Sequence, residues 1–159
     1  MLDERAITKV IQRFCRGADR FDGDLVRSAF HEDATADYGK VFSGPAQELG
    51  SAEKLEALHA PTWTNHQHFV TNIDIDLDGD TAHVETYMLG VFRRVDGGGL
   101  DVSGGRYVDR FERRNGEWRI AHRVNVGEWN TRIPVDREVE MRDLFVGGRR
   151  DRSDVSYLR

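Results

Sequence analysis

The stretch TNHQHFVTN, residues 64–72, marks the point at which this 159-residue sequence changes from helical patterns to strand patterns. It places two of the six histidines of the chain, His66 and His68, at the start of a predicted β-strand. Residues two apart in a strand share a face, so both imidazoles point to the same side of the sheet. A polar entry into a strand that then turns apolar is typical of a cavity wall. A histidine on such a wall is a candidate catalytic base.

After this stretch the sequence predicts an antiparallel meander of four long strands. Residues 78–79 (Asp-Gly) and 115–116 (Asn-Gly) have the composition of tight two-residue hairpin turns. Residues 96–99 (Asp-Gly-Gly-Gly) predict a looser turn. The four strands are predicted over residues 72–77, 81–94, 100–113 and 117–129.

Before this stretch the apolar residues recur at helical spacing, and Asp3 is the predicted N-cap of the first helix. Helices are predicted over residues 3–18, 24–30, between Pro45 and Pro61, and around 138–145, with a short strand over 34–38. Helices followed by a meander predict an α+β fold. We expect a cone barrel, in which a curved mixed or antiparallel sheet wraps around helices and leaves an internal pocket. Residues 1–159 are expected to form one domain, with 135–159 as a C-terminal extension.

The composition limits the classes of function. Lys and Arg number 23 against 28 Asp and Glu, and the resulting net charge of −5 argues against nucleic-acid binding. No apolar run reaches the roughly 20 residues that span a bilayer, so no membrane contact is expected. The first residues do not have the pattern of a signal peptide, and the single cysteine, Cys15, fits a reducing compartment. We therefore expect a cytoplasmic protein that binds a small molecule.

Asp19 and Arg123 are the two residues that we expect to accompany His68. Asp19 follows Cys15 at the i+4 spacing, so it continues the apolar stripe of the first helix and should project towards the core. A buried carboxylate needs a partner, and an imidazolium is a natural one. Arg123 alternates onto the face opposite Trp118 of the last strand. Alternation does not decide whether that face is solvent or a polar pocket.

Other interpretations of these residues stay open at this point. Either histidine also fits a purely structural role, and a His-x-His pair on a strand holds zinc when a third ligand is near. His31, His59 and Asp37 are the available third ligands, but no spacing groups them and we expect no metal. Candidates for the pocket wall, each also typical of an ordinary core, are Tyr38, Trp63, Met88 and Tyr107.

The order of four motifs resembles a known group. They are GADR at 17–20, FHEDA at 30–34, HFVTN at 68–72 and RNGEWRIAHR at 114–123. Over about residues 3–130 the chain resembles the SnoaL-like branch of the superfamily named after nuclear transport factor 2. Members of this group include scytalone dehydratase, bile-acid 7α-dehydratase and hexachlorocyclohexane dehydrochlorinase.

The resemblance implies an α+β cone with a His–Asp dyad inside it and no cofactor. The family positions of the aspartate, the histidine and the arginine match Asp19, His68 and Arg123. One position departs from the family: where those enzymes have a Tyr or a Lys, this chain has Phe14, which has no proton to donate. We expect Phe14 to line the substrate pocket, and the missing contact to be supplied by one of Tyr38, Tyr107 and Asn72.

The expected activity is a cofactor-free, dehydratase-like elimination on a small apolar cyclic or aromatic substrate. The leaving group is water or a small carbon fragment such as formaldehyde. Two alternatives remain: an isomerase or cyclase of the ketosteroid-isomerase or polyketide-cyclase kind, and a non-catalytic small subunit of a ring-hydroxylating dioxygenase. Because the convex face of such a sheet exposes apolar strands, we also expect a homodimer or homotrimer.

Overall fold

The computed structural model describes residues 1–135 and 144–158 of the chain. Its helices are α1 (Leu2–Arg20), α2 (Gly23–Ser28) and α3 (Ala52–His59), with 3-10 turns at Ala46–Gly50 and Val155–Tyr157. Its strands are β1 (Phe30–Asp37), β2 (Ser43–Pro45), β3 (Trp63–Asp78), β4 (Thr81–Arg94), β5 (Leu100–Arg114) and β6 (Glu117–Ile133). No helix in the described ranges is long and apolar enough to cross a membrane.

The strands form one six-stranded sheet in the order β2-β1-β6-β5-β4-β3. Strands β3 to β6 are an antiparallel meander, and the tight hairpins lie at the predicted Asp-Gly and Asn-Gly positions. β1 pairs in parallel with β6, which makes the sheet mixed. The sheet is curled but unclosed, and the predicted α+β cone fold is confirmed.

The core lies between α1 and the inner face of the sheet. The apolar stripe of α1 is buried against Val26 of α2, Phe30 of β1, Phe111 of β5 and Ile120 of β6. Cys15 belongs to this stripe, and burial raises the pKa of its thiol to about 12. A thiol with such a pKa is not a nucleophile near neutral pH.

Two local predictions were wrong. The N-cap of α1 is Met1 rather than Asp3, because the Asp3 carboxylate instead accepts a hydrogen bond from Trp118 Nε1 at 2.8 Å. The second helix ends at Ser28, since the backbone from Phe30 onwards pairs with β6. Residues 43–45 form strand β2, and Pro45 is the N-cap of the 3-10 turn that follows it. The helix predicted around 138–145 falls largely outside the described residues.

The described part of the predicted C-terminal extension packs back onto the helices. The Tyr157 hydroxyl donates to Asp22 Oδ2 at 2.9 Å, and Arg16 donates to the Ser156 carbonyl at 3.2 Å. Asp22 is also the N-cap of α2, where it accepts from the Leu25 amide. These contacts bring residues 144–158 to the end of the cone at which α1 stops.

Candidate active site

An apolar cavity of about 540 Å³ opens between the helices and the sheet. Its lining combines aromatic and aliphatic side chains with three imidazoles: Phe14, Ala18, Val26, Tyr38, Val41, Phe42, Glu48, Leu49, Lys54, Ala57, His59, His66, His68 and Tyr107. The charged pair at its edge, Lys54 and Glu48, is a salt bridge. A larger groove of about 1130 Å³ runs beside α1, but it is lined by neither His68 nor Asp19.

His68 and Asp19 form a hydrogen-bonded pair beside this cavity. Asp19 Oδ1 lies 2.6 Å from His68 Nδ1, and Asp19 Oδ2 accepts from the His68 backbone amide at 3.1 Å. The two side chains are only 14% and 13% exposed. Because an ionised carboxylate only accepts hydrogen bonds, the geometry assigns the Nδ1–H tautomer to His68. Its Nε2, which has no partner among the described residues, is then free to accept a proton.

The end of α1 and the start of β3 position this pair. α1 continues to Arg20 and stops at Phe21, whose φ of 52° is left-handed, so Asp19 lies in the last helical turn beside β3. On the other strand of the β3–β4 hairpin, Gly90 faces His68. A Cβ at position 90 would lie 2.5 Å from the Phe92 ring, so glycine leaves room for Phe92 to pack edge-on against His68 at 5.6 Å.

Arg123 lies in the interior, but it does not line the cavity. Ala121 is an extra residue in β6 between two pairs of the β5–β6 ladder. This bulge resets the alternation, so Arg123 shares the inner face with Ile120. The guanidinium is fully buried, and it donates from Nε and Nη2 to the two carboxylate oxygens of Asp109 at 2.7 Å each. In this structure Asp109 and the surrounding rings enclose the guanidinium, so a direct part of Arg123 in stabilising negative charge on a substrate stays a prediction.

The surroundings of Arg123 connect it to the cavity wall. Its guanidinium carbon lies 4.2 Å from the ring centroid of Phe14 and 4.0 Å from that of Tyr107. Tyr38 also lies close by; burial raises the pKa of its hydroxyl, and the Arg123 guanidinium opposes that rise. Arg123 Nη1 and the Tyr38 hydroxyl are buried without a partner in the described part of the chain. Arg123 is thus separated from the cavity by the aromatic residues that line it.

His59 and His66 add two further imidazoles to the cavity wall. Their ring centroids are 4.7 Å apart. The pKa of His66 is lowered to about 3, first by burial and then by the neighbouring charges of His59, Arg150 and His68. That of His59 is lowered to about 4 by burial, with smaller contributions from His68 and Arg150. Arg150 Nη2 lies 3.4 Å from His66 Nε2. Arginine cannot accept a hydrogen bond, so His66 Nε2 is the acceptor and the ring is neutral.

The remaining candidates divide into two groups. Phe14, Tyr38 and Tyr107 line the cavity as expected of a pocket wall, whereas Trp63, Met88 and Asn72 do not. Trp63 donates to Asp101 Oδ2 at 2.9 Å, Met88 packs against the core, and Asn72 is exposed. Asn72 faces outwards because a β-bulge between Val70 and Ile73 shifts the register of β3. Among the described residues, no group of three His, Cys, Asp or Glu side chains is arranged to hold a metal ion.

The sequence patterns missed three residues that shape this site. In the sequence Asp109 has no feature that distinguishes it from other strand residues. Only the register of β5 against β6 places it opposite Arg123. Arg150 is distant in sequence, yet it donates to the carbonyls of Trp63 and Thr64 at 2.9 and 2.7 Å. For His59 the sequence predicts only a possible zinc ligand near the inner face of the third helix. Its place at helical spacing on the inner side of α3 was the available signal.

Several solved structures have the same fold. A scytalone dehydratase-like protein from Novosphingobium aromaticivorans is 20% identical, with a TM-score of 0.72 over 87% of this chain and 96% of its own. Hexachlorocyclohexane dehydrochlorinase LinA-type3 from Novosphingobium barchaimii is 19% identical, with a TM-score of 0.76 over 87% and 94% of the two chains. An aromatic ring hydroxylase-like protein from N. aromaticivorans is 24% identical, with a TM-score of 0.70 over 82% and 93%. At these identities the similarity shows the fold alone.

No curated protein is similar enough in sequence to match this chain. The model of the SnoaL-like domain, in contrast, matches residues 1–124, which include all six strands up to the middle of β6. The match covers the whole of the helix α1 and the β3 segment that carry the Asp19–His68 pair. The chain therefore belongs to the SnoaL-like domain family, within the superfamily named after nuclear transport factor 2.

Proposed function

We propose that this protein is a cofactor-free lyase that removes a small leaving group, in the first place water, from a small apolar cyclic or aromatic molecule. The observation that carries the proposal is the hydrogen bond between His68 and Asp19 beside an otherwise apolar cavity. A neutral imidazole with a free Nε2 is a suitable general base near neutral pH. Most of the surface that the cavity offers to a ligand is apolar.

In the proposed reaction His68 Nε2 takes a proton from the carbon next to the one that bears the leaving hydroxyl. The electrons of the C–H bond form the new double bond, and the C–O bond breaks with its electron pair on oxygen. His68 then returns the proton to the departing hydroxide, so that water leaves and the imidazole is neutral again. Asp19 holds the ring through Nδ1–H and stabilises the imidazolium while it exists.

The group that assists departure of the leaving oxygen is the less defined part of the site. Phe14 has no hydrogen to donate, and the Arg123 guanidinium is enclosed with Asp109. We propose that Arg123 acts as a positioning residue, which polarises the Tyr38 hydroxyl at the cavity wall. In this role Tyr38 turns its hydroxyl, which is enclosed beside Arg123 in this structure, towards the leaving oxygen and takes over from the Tyr or Lys of related enzymes. Retro-aldol release of formaldehyde would use the same base on a hydroxyl proton.

Because Phe14 cannot donate a proton to a leaving group, the site also supports a second candidate function, that of an isomerase or cyclase. Such a reaction needs a base and a hydrogen-bond donor, but no group departs. His68 and Tyr38 supply these two functions equally well. The third hypothesis, a non-catalytic subunit, predicts that the Asp19–His68 pair is not hydrogen-bonded. The distance of 2.6 Å between Asp19 Oδ1 and His68 Nδ1 speaks against that hypothesis.

The mass of the product tests the proposal. Purified protein would be incubated with a panel of hydroxylated cyclic and aromatic compounds, and the products analysed by mass spectrometry. A lyase lowers the mass of the substrate, by about 18 Da if water leaves and by about 30 Da if formaldehyde leaves. An unchanged mass with an altered retention time supports the isomerase or cyclase. No His68-dependent product from any member of the panel would count against both.

A further inference from the structure

The proposed reaction makes no use of His59, although this histidine lies on the cavity wall. It is the last residue of α3, and its ring is held in a group of aromatic side chains. The ring centroid of His59 lies 4.7 Å from that of His66, 5.6 Å from that of Trp63 and 6.2 Å from that of Phe21. The ring is thus fixed in orientation by packing rather than by hydrogen bonds.

The nitrogens of His59 differ from those of the other enclosed histidines. His31 Nε2 binds the Glu112 carbonyl at 2.9 Å, while His66 and His68 are held by Arg150 and Asp19. His59 Nδ1 is fully enclosed and has no hydrogen-bond partner, and Nε2 has none either among the described residues. Since Nδ1 is sealed, Nε2 is the atom that a ligand in the cavity can reach.

The chemistry of the cavity restricts the group that would meet this nitrogen. Burial keeps the His59 ring neutral near pH 7, so it is not a cation that selects a carboxylate. Lys54, the lining residue with a positive charge, is already paired with Glu48. A neutral imidazole nitrogen is a donor in one tautomer and an acceptor in the other. A hydroxyl group both donates and accepts, so it matches His59 in either tautomer.

We propose that His59 is a specificity-determining residue, which binds a hydroxyl group of the ligand through Nε2. The ligand is accordingly a hydroxylated ring compound, neither a bare hydrocarbon nor an acid. This inference rests on the proposed function in one respect, namely that the cavity is the substrate site. The hydroxyl bound by His59 fixes the orientation of the ring against His68. It need not be the group that leaves.

Binding of two matched probes tests this inference without turnover. We expect wild-type protein to bind 2-naphthol about fivefold or more tightly than naphthalene in isothermal titration calorimetry, as one net hydrogen bond predicts. His59→Phe keeps the packed ring but removes both nitrogens, so it should bind the two probes with equal affinity. His59→Gln retains a donor and an acceptor and should recover part of the preference. An undiminished preference in His59→Phe, or no preference in wild type, would overturn the inference.

Two further measurements separate a contact from a folding effect and from a failure of the proposed function. The ¹⁵N resonances of His59 in the wild-type protein should shift on addition of 2-naphthol and stay in place with naphthalene. An equal shift with both probes would contradict the hydroxyl contact. His68→Ala should keep the preference for 2-naphthol while turnover is lost. If His68→Ala keeps turnover instead, the lyase mechanism fails while the His59 contact stands on its own result.

Discussion

Asp19 Oδ1 lies 2.6 Å from His68 Nδ1, and Asp19 Oδ2 accepts from the backbone amide of the same histidine at 3.1 Å. One carboxylate therefore fixes both the ring and the backbone of a residue 49 positions later in the chain. Helix α1 and strand β3 are held at the one point where the proposed chemistry takes place. This double contact explains why the tautomer and the rotamer of His68 are defined before any substrate binds.

Replacing His68 tests whether it is the base. His68→Ala should lower kcat/KM by at least about 100-fold, because a positioned general base typically contributes 10²–10⁴ in rate. The measurement is steady-state turnover of whichever substrate the mass screen identifies. His83→Ala is the matched control, since His83 is an exposed histidine of β4 and its loss should change the rate less than twofold. Near-normal turnover in His68→Ala would remove it from the mechanism.

Asp19→Asn tests the tautomer rather than the presence of the pair. The asparagine oxygen can still accept from the His68 amide, which turns its NH₂ group towards Nδ1 and forces the proton onto Nε2. The base is then blocked, and we expect turnover to fall by about 100-fold or more. Histidine ¹⁵N spectra should show the Nδ1–H form in wild type and the Nε2–H form in the variant. Asp76→Asn, an exposed change on β3, should alter neither; an unchanged tautomer in Asp19→Asn would refute the assignment.

The fold could be predicted because its tight turns are encoded by adjacent residues in the sequence. The Asp-Gly and Asn-Gly pairs fix two hairpins, and strand alternation on either side of them sets the register of β3 against β4 and of β5 against β6. The approach of Asp19 to His68 could also be predicted from local patterns. A helix face and a strand face each have a fixed period, so Asp19 and His68 could each be assigned to an inner side.

Arg123 shows where periodicity fails. A single inserted residue, Ala121, moves the side chains that follow it in β6, Arg123 among them, to the other face. No local signal in the sequence marks such a bulge, so alternation placed Arg123 opposite Trp118, whereas both are buried. Its partner Asp109 depends on the cross-strand register of the bulged pair. The contacts of Arg150 with β3 could not be predicted, because Arg150 lies in the segment after β6 and no strand or helix period relates that segment to β3.

The enclosed histidines predict a loss of stability in mild acid. His66 has its pKa lowered to about 3 by burial, with His59, Arg150 and His68 adding to the effect, while an unfolded histidine titrates near 6.5. The unfolded chain therefore binds more protons, and the contribution is complete above pH 6.5 and is lost as pH falls towards 3. Between pH 6.5 and 5 the free energy of unfolding should drop by about 2 kcal/mol from His66 alone.

Urea unfolding at pH 6.5 and at pH 5 would measure this drop. His66→Phe fills the same aromatic position without a titrating nitrogen, so its loss between the two pH values should be smaller by about 2 kcal/mol. His83→Ala, at an exposed position, should lose as much stability as wild type. A drop of the same size in His66→Phe would show that His66 is not the group that titrates.

The buried pair of Arg123 and Asp109 predicts a large cost for single changes and a small one for a double change. Both side chains are 0% exposed and are joined by two hydrogen bonds of 2.7 Å. Asp109→Asn leaves a buried guanidinium without its counter-charge, and it should cost about 3–5 kcal/mol of unfolding free energy. The double variant Arg123→Met with Asp109→Leu removes both charges. It should lower the free energy of unfolding by less than Asp109→Asn does.

Denaturant unfolding of the single and double variants, together with turnover, separates stability from function in this pair. Glu117→Gln breaks the partly exposed bond from Arg119 to Glu117, and as the control it should cost less than about 1 kcal/mol. If Arg123 positions Tyr38, a stable double variant should turn over more slowly than wild type while it binds ligand normally. Wild-type turnover in that variant would mean that the pair stabilises the wall of the cavity and has no part in the reaction.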